Sequence, residues 1–401
     1  MQDLTQVPMP LFTPEVDWSP PSDLPELSNY QEVAIDLETH DPLLLSHGPS
    51  WAFANTGHVT GIAVATKDFS YYFPIGHKGG GNLDEGLIKR WLAKQLSYNN
   101  DKIFHNSLYD LGWLKRMGIK VNGKVHDTMF AAPLIDENQY GYSLNKLGER
   151  YVGEVKDESL LKEAASAYGL DPKKDMWKLP AKYVGVYAEQ DAALTLKLWE
   201  IFKELLRLEN VEAIYELETS LIPILLEMRY KGVPVDLDKA EKVGKQLKKE
   251  EVGILTNIKK EHGVYPDLWA AASVATVFDR AGLSYPRSPK LNAPSFTSAW
   301  LESHDSKLAK DIGRARKLNK ARTTFINKMI LEHSVNGRIH GELHPLRSDT
   351  GGTVTGRFSS SNPNLQQVPA RHDMIGPLVR SVFVPEKDHY WGCFDYSQQE
   401  P

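Results

Sequence analysis

Apolar residues recur at every second position in Val33, Ile35 and Leu37, which predicts a strand that runs into the polar stretch Thr39-His40-Asp41. The runs 59–66 and 71–75 read as two further strands, with Lys67-Asp68 at the turn between them, so an antiparallel meander is expected. The period then changes. Leu87, Ile88, Trp91, Leu92 and Leu96 have helical spacing and predict a helix over 83–96. A short strand over 102–105 leads into a helix at 106–114. Asp127 is placed to cap a helix over 128–135, while His126 beside it reads as structural. Another helix starts at 143–147. A long one spans 183–208, docked by the stripe Leu194, Leu198, Ile201 and Leu205. The polar stretch 154–179 gives no periodic signal, and Lys78-Gly79-Gly80-Gly81 lacks P-loop spacing and reads as a mobile loop tip.

The second half changes character. Residues 216–236 predict one amphipathic helix ended by Gly232, and 239–260 predict a lysine-rich helix with an apolar stripe at Val243, Leu247 and Ile254. A basic helix is expected over 314–328, with Leu318, Phe325 and Ile326 on its packed face and cations including Lys320 on the other, within reach of phosphates. Residues 355–369 read as a turn-rich loop whose hydroxyls, amides and Arg357 can hydrogen-bond phosphates and minor-groove acceptors.

The 401 residues are enough for two or three domains, and 41% hydrophobic with 25% charged residues is an ordinary globular composition. A formal net charge of −5 leaves no global field for nucleic acid, so any such surface is local. Cys393 is the only cysteine, which excludes an intrachain disulfide and fits a reducing compartment. No apolar run reaches the roughly eighteen residues of a membrane span, and the proline-rich, acidic stretch 1–27 lacks the pattern of a secretory signal and is expected as an extended arm.

The chemistry lies in three spaced pairs. Asp36 and Glu38 share one face of their strand. Asn106 and Asp110 share a helix face, as do Tyr187 and Asp191. At the ends of one sheet, Asp36, Glu38, Asp110 and Asp191 can meet in a cleft. Four carboxylates there suit two divalent cations, because hard cations prefer oxygen ligands and such a pair can clamp a phosphodiester. Tyr187 would orient the attacking water, since a phenol is a poor base at neutral pH.

Asp36-x-Glu38, Asn106-x3-Asp110 and Tyr187-x3-Asp191, in this order, resemble the three motifs of the proofreading 3′–5′ exonucleases, in the subclass with tyrosine in the third motif. The resemblance implies an RNase H-like mixed sheet, two Mg2+ or Mn2+ ions and single-stranded DNA 3′ ends as substrate. It places Thr39 and Asn106 near the terminal nucleotide, with Pro42 or Leu43 as an apolar wedge against the last base. Residues 355–369 (TGRFSSSNPNLQQVP) closely resemble the palm-entry motif of family A DNA polymerases, those related to bacterial DNA polymerase I. Residues 216–236 resemble the start of their thumb, and 394–401 (FDYSQQEP) their motif A, with Gln399 and Pro401 in phage-type positions. By this likeness Asp395 would bind the polymerase metals, Glu400 would gate against a ribose 2′-hydroxyl, and Arg357 and Gln366 would contact primer–template.

The expected organisation is therefore α/β: an arm (1–27), an RNase H-like mixed-sheet exonuclease domain (28–210), a mainly helical thumb-like region (211–340) and the incomplete beginning of a palm (341–401). Because the sequence stops inside motif A, polymerisation by this chain alone is not expected, and a second chain with fingers and the rest of the palm is a candidate partner. The rival readings are a non-catalytic DNA-binding or assembly fragment and an RNA-trimming exonuclease of the same fold.

Overall fold

The computed structural model describes residues 10, 12–349, 351–370 and 372–397, and they form two compact units: Met1–Lys231 with Gly341–Asn362, and Gly232–His340 with Pro363–Pro401. The units divide at 231/232, 340/341 and 362/363, so the sequence-derived boundary at 340/341 falls on one of these points and that at 210/211 does not. Residues 211–231 join the first unit because Tyr215 and Ile222 are buried in its core.

The first unit is built on a five-stranded mixed sheet of order β3-β2-β1-β4-β5: β1 Glu32–His40, β2 His58–Ala65, β3 Ser70–Pro74, β4 Asp101–Phe104 and β5 Val125–Asp127. β1–β2 and β2–β3 are antiparallel, whereas β1–β4 and β4–β5 are parallel. Its helices are α1 Leu44–His47, α2 Glu85–Leu96, α3 Ser107–Arg116, α4 Thr128–Ile135, α5 Leu144–Leu147, α6 Ser159–Ala167, α7 Gly185–Leu208, α8 Glu212–Ser220 and α9 Ile222–Lys231. β1 is central because both faces of its first half are apolar: Val33, Ala34 and Ile35 are buried. α7 lies across β1, β2 and β3 and buries Ala188, Ala192, Leu194 and Leu198.

Two local devices fix the functional ends of these elements. Opposite Glu38 stands Gly61, where the register of β1 and β2 shifts. A Cβ on Gly61 would meet the buried Tyr72 ring at 2.1–2.4 Å, so glycine is required for the phenol to lie beside Glu38. At the start of α7, the Trp18 ring lies so close that a Cβ on Gly185 would be 2.0 Å from it, and Trp18 Nε1 donates to Glu189 at 3.0 Å. The N-terminal arm thus packs on the first turns of the helix that carries Tyr187 and Asp191.

Asp127 caps α4 as expected, accepting from the Met129 N–H at 2.8 Å, and it also accepts from the Asn106 and Ser107 N–H groups at 3.1 and 2.7 Å. One buried carboxylate therefore holds the start of α3 as well, where Asn106 sits at φ 70°. His126 is structural: it stacks on Trp199 at 4.0 Å and faces Asp101 at 3.3 Å.

Three readings of the sequence are corrected. The helix expected over 216–236 is two helices, α8 and α9, because Pro223 has no N–H and its ring opposes the carbonyl four residues back. The glycine loop at 78–81 is no free tip: the Lys78 N–H donates to Trp177, Ala181 N–H donates to Gly80, and a Cβ on Gly79 would strike Pro180 at 2.3 Å. The basic helix begins earlier than 314, at Lys307, because the Ser306 hydroxyl caps it by accepting from Ala309, and it continues as a π-helix over Ala321–Glu332.

The second unit is mainly helical: α10 Leu237–His262, α11 Ala271–Arg280, α12 Ser298–Ser303, α13 Lys307–Lys320 and α14 Ile375–Arg380. One core gathers Val274, Phe278, Ile312 and their neighbours, and a second gathers Val243, Leu247, Leu318, Ile330 and Val379. No helix among the described residues is long and apolar enough to cross a membrane.

Candidate active site

The first unit brings carboxylates from distant stretches together. Asp36 and Glu38 project from β1 with Leu37 buried between them, and Asp191 projects from α7 one turn after Tyr187. One carboxylate oxygen of each of Asp36, Glu38 and Asp191 lies within 4.8 Å of the other two. Asp110, in the first turn of α3, is held beside them: its Oδ1 accepts from the Leu37 N–H at 3.0 Å, and it feels the charge of Asp36. Asp110 stands outside the tight group of three.

Burial and mutual repulsion govern the site's electrostatics. Asp36 is pushed up to about 7, first by burial and then by Asp191, with the Lys156 ammonium pulling the other way. Glu38 lies well above the carboxylate range for the same reasons, with Asp36 its nearest repulsive neighbour. Burial and then Asp36 raise Asp110, opposed by its hydrogen bond from Leu37. Burial raises Asp191, and Lys156 opposes it. Several carboxylates in a dry pocket resist simultaneous ionisation unless cations join them. Asp191 Oδ1 is buried and accepts no hydrogen bond among the described residues. An all-oxygen donor set with an unmatched buried acceptor fits a hard divalent cation.

Tyr187 stands at the same site. Its hydroxyl lies 3.3 Å from the Lys156 ammonium, and burial, then Asp191, holds it above the usual phenol range. The Thr39 and Tyr109 hydroxyls share a 2.6 Å hydrogen bond. Thr39 and Asn106 line a cleft of about 570 Å³ with Glu38, Tyr109 and Phe130. The apolar wall nearest the expected wedge is Leu44 and Leu45, whereas Pro42 and Leu43 do not line the cleft. Leu45 is 95% exposed.

Arg357 is exposed in the first unit; Lys320 and Gln366 are exposed in the second. Asp395 lies exposed in a stretch without regular structure, and Glu400 falls outside the described residues. The sequence reading missed Lys156, which belongs to the unassigned stretch 154–179 and whose side chain is 9% exposed against Asp191. Nothing in its neighbourhood, Glu154-Val155-Lys156-Asp157, distinguishes it from a surface lysine.

Residues 24–207 match the family described as 3′-5′ exonuclease, and residues 238–401 match DNA polymerase family A. A DNA-directed DNA polymerase of Pseudomonas phage M6 is 38% identical over 98% of this chain and 61% of its own length. DNA polymerase DpoZ of Acinetobacter phage SH-Ab 15497 is 28% identical over 94% of this chain and 62% of its own length. DNA polymerase I of Synechocystis is 31% identical over 82% of this chain and 33% of its own length. The chain thus spans about three fifths of the phage relatives. Among solved structures, the POL domain of Pol1 from M. smegmatis in complex with DNA primer-template and dNTP superposes with a TM-score of 0.68 over 90% of this chain and 58% of that one, at 19% identity, a likeness of fold. With an exonuclease match over its first half and a polymerase match over its second, the chain belongs to the family A DNA polymerases that carry a 3′–5′ exonuclease domain.

Proposed function

We propose that the first unit is a metal-dependent 3′–5′ exonuclease that removes nucleotides from DNA 3′ ends, serving as the proofreading part of a replicative family A DNA-directed DNA polymerase. The observation that carries this reading is the meeting of Asp36, Glu38 and Asp191 within 4.8 Å, from positions about 150 residues apart, with Asp110 and Tyr187 alongside. Asp36, Glu38, Asp191 and Asp110 would hold two divalent cations, Mg2+ or Mn2+. When bound, these ions supply Lewis-acid stabilisation of the charge that grows on the phosphodiester oxygens.

The chain's own groups do the rest. Tyr187 stays a neutral phenol across the physiological range, because its hydroxyl titrates far above it. It therefore orients water through a hydrogen bond and does not remove the proton. Thr39 and Asn106 take the polar edge of the terminal nucleotide, and Tyr109 and Phe130 cover its apolar face in the cleft. In the polymerase-family half, Lys320, Arg357 and Gln366 supply contacts to the primer–template backbone, which give affinity with little sequence discrimination.

The test is a 5′-labelled single strand incubated with Mg2+ or Mn2+. The wild-type chain shortens it stepwise from the 3′ end, and D36A/E38A leaves it intact. A wild-type chain that binds the strand without shortening it is a DNA-binding or assembly module, and preferential shortening of RNA assigns it to RNA trimming.

A further inference from the structure

Lys156 has no part in the chemistry above, yet it sits inside the acidic cluster. Its ammonium is 2.6 Å from Asp191 Oδ2 and 3.3 Å from the Tyr187 hydroxyl, and it lies over the Tyr187 ring at 4.8 Å. Its charge acts on Asp36 and Glu38 as well as on Asp191. Lysines ordinarily carry their charge out to water, and an ammonium this far from solvent is costly unless it is paired.

The backbone holds it there. Lys156 lies in the stretch between the π-helical turn Gly148–Val152 and α6. On one side of it Glu154 pairs with Lys197 of α7 at 2.6 and 2.8 Å, and on the other the Asp157 N–H donates to Gln190 of α7 at 3.2 Å. The two anchors bracket Asp191 along the helix, so the lysine is aimed at that carboxylate from both sides. Asp157 in turn accepts from the Ser159 N–H at 2.9 Å, where α6 begins.

Charge balance gives this geometry a consequence. Four ionised carboxylates are matched by two divalent cations, so an ammonium against Asp191 is a surplus positive charge at contact distance from any ion that shares that residue. We infer that Lys156 is a tethered counter-cation for Asp191, which a divalent ion must displace, so that the stretch 153–158 sets the metal affinity of the cluster. The inference rests on the reading of the cluster as a metal site. A positioning role follows for Lys156: it neutralises the pocket while no metal is bound and gives way when metal arrives.

Mn2+ binding, followed by the electron-spin resonance of the free ion, tests this without reference to nuclease activity. Lys156→Met should bind the ion that contacts Asp191 about tenfold more tightly than wild type, and in EDTA it should melt at a lower temperature, because the carboxylates then face one another without a cation. Lys156→Arg keeps the charge and should stay within about twofold of wild type. Lys197→Ala loosens the Glu154 anchor while leaving Lys156 in place, and should tighten Mn2+ binding about threefold. Unchanged or weaker Mn2+ binding in Lys156→Met overturns the inference while leaving the metal reading intact. If Lys156→Met does not fold, unchanged affinity in Lys197→Ala overturns it. A wild-type chain whose Mn2+ binding is unaffected by Asp191→Asn overturns the metal reading itself.

Discussion

Asp36 and Asp395 both carry a carboxylate that sequence likeness assigns to a metal, and the protein treats them in opposite ways. Asp36 stands on the central strand of a five-stranded sheet, within 4.8 Å of two other acidic side chains and under a long helix. Asp395 stands in an irregular stretch between Phe394, 96% exposed, and Tyr396, 82% exposed. Among the described residues, Asp36, Glu38 and Asp191 are the one group of three or more acidic or metal-ligating side chains close enough to share an ion. The difference bears on what would make a carboxylate a ligand. The sheet and helix hold like charges together at a cost in desolvation and repulsion, and that stored unfavourable energy is what a cation relieves. An exposed aspartate in water carries no such cost.

The sharpest way to break this comparison is to remove each member. Asp36→Ala with Glu38→Ala should lower 3′ shortening of a labelled strand by about a thousandfold or more, as loss of a metal site does, while Asp395→Ala leaves that rate unchanged. Equal losses would mean that the buried cluster has no privileged role. A milder cut is Tyr187→Phe, which keeps the ring and removes the hydroxyl. We expect about a tenfold fall in kcat with little change in KM, since water is oriented less well while the strand still binds.

These expectations were partly legible in the sequence. Asp36, Glu38, Asp110 and Asp191 could be found because strand and helix periods are local properties: spacings of two and four place side chains on one face before any tertiary contact is known. Lys156 could not be found this way. It reaches Asp191 through a loop pinned by Lys197 and Gln190, and no short-range pattern encodes contacts across 33 to 43 positions. The docked glycine loop at 78–81 failed for the same reason, since its partners lie at Trp177, Pro180 and Ala181. The break between α8 and α9 was legible in principle, because Pro223 states it locally, but the apolar stripe around it masks the signal.

Two glycines extend the contrast to stability. Gly61→Ala should destabilise the first unit by about 2–3 kcal/mol, measured by urea unfolding, because its Cβ would run into the Tyr72 ring in a filled core. His77 gives a pH signature to that same core. It shares a 2.7 Å hydrogen bond with the Tyr72 hydroxyl, and burial pulls it down to about 4 from the usual 6.5. Between pH 6.5 and about 4 the unfolded chain therefore binds a proton that the folded chain refuses. Stability should fall by about 3 kcal/mol as pH drops through this window, and His77→Gln should flatten the slope. The smallest effect is expected in the second unit, where Gly253 lies in α10 and a methyl group added to it would have nothing within 4 Å. Gly253→Ala should stabilise that unit by about 0.5–1 kcal/mol, since it lowers the cost of ordering the helix and meets no neighbour.

The most direct measurement is anomalous diffraction from crystals of the chain grown with Mn2+. The account predicts a manganese peak among the Asp36, Glu38 and Asp191 carboxylates, with a second beside Asp110, and the Lys156 ammonium moved away from Asp191. Manganese bound elsewhere, with this pocket empty and the lysine still against Asp191, would contradict it.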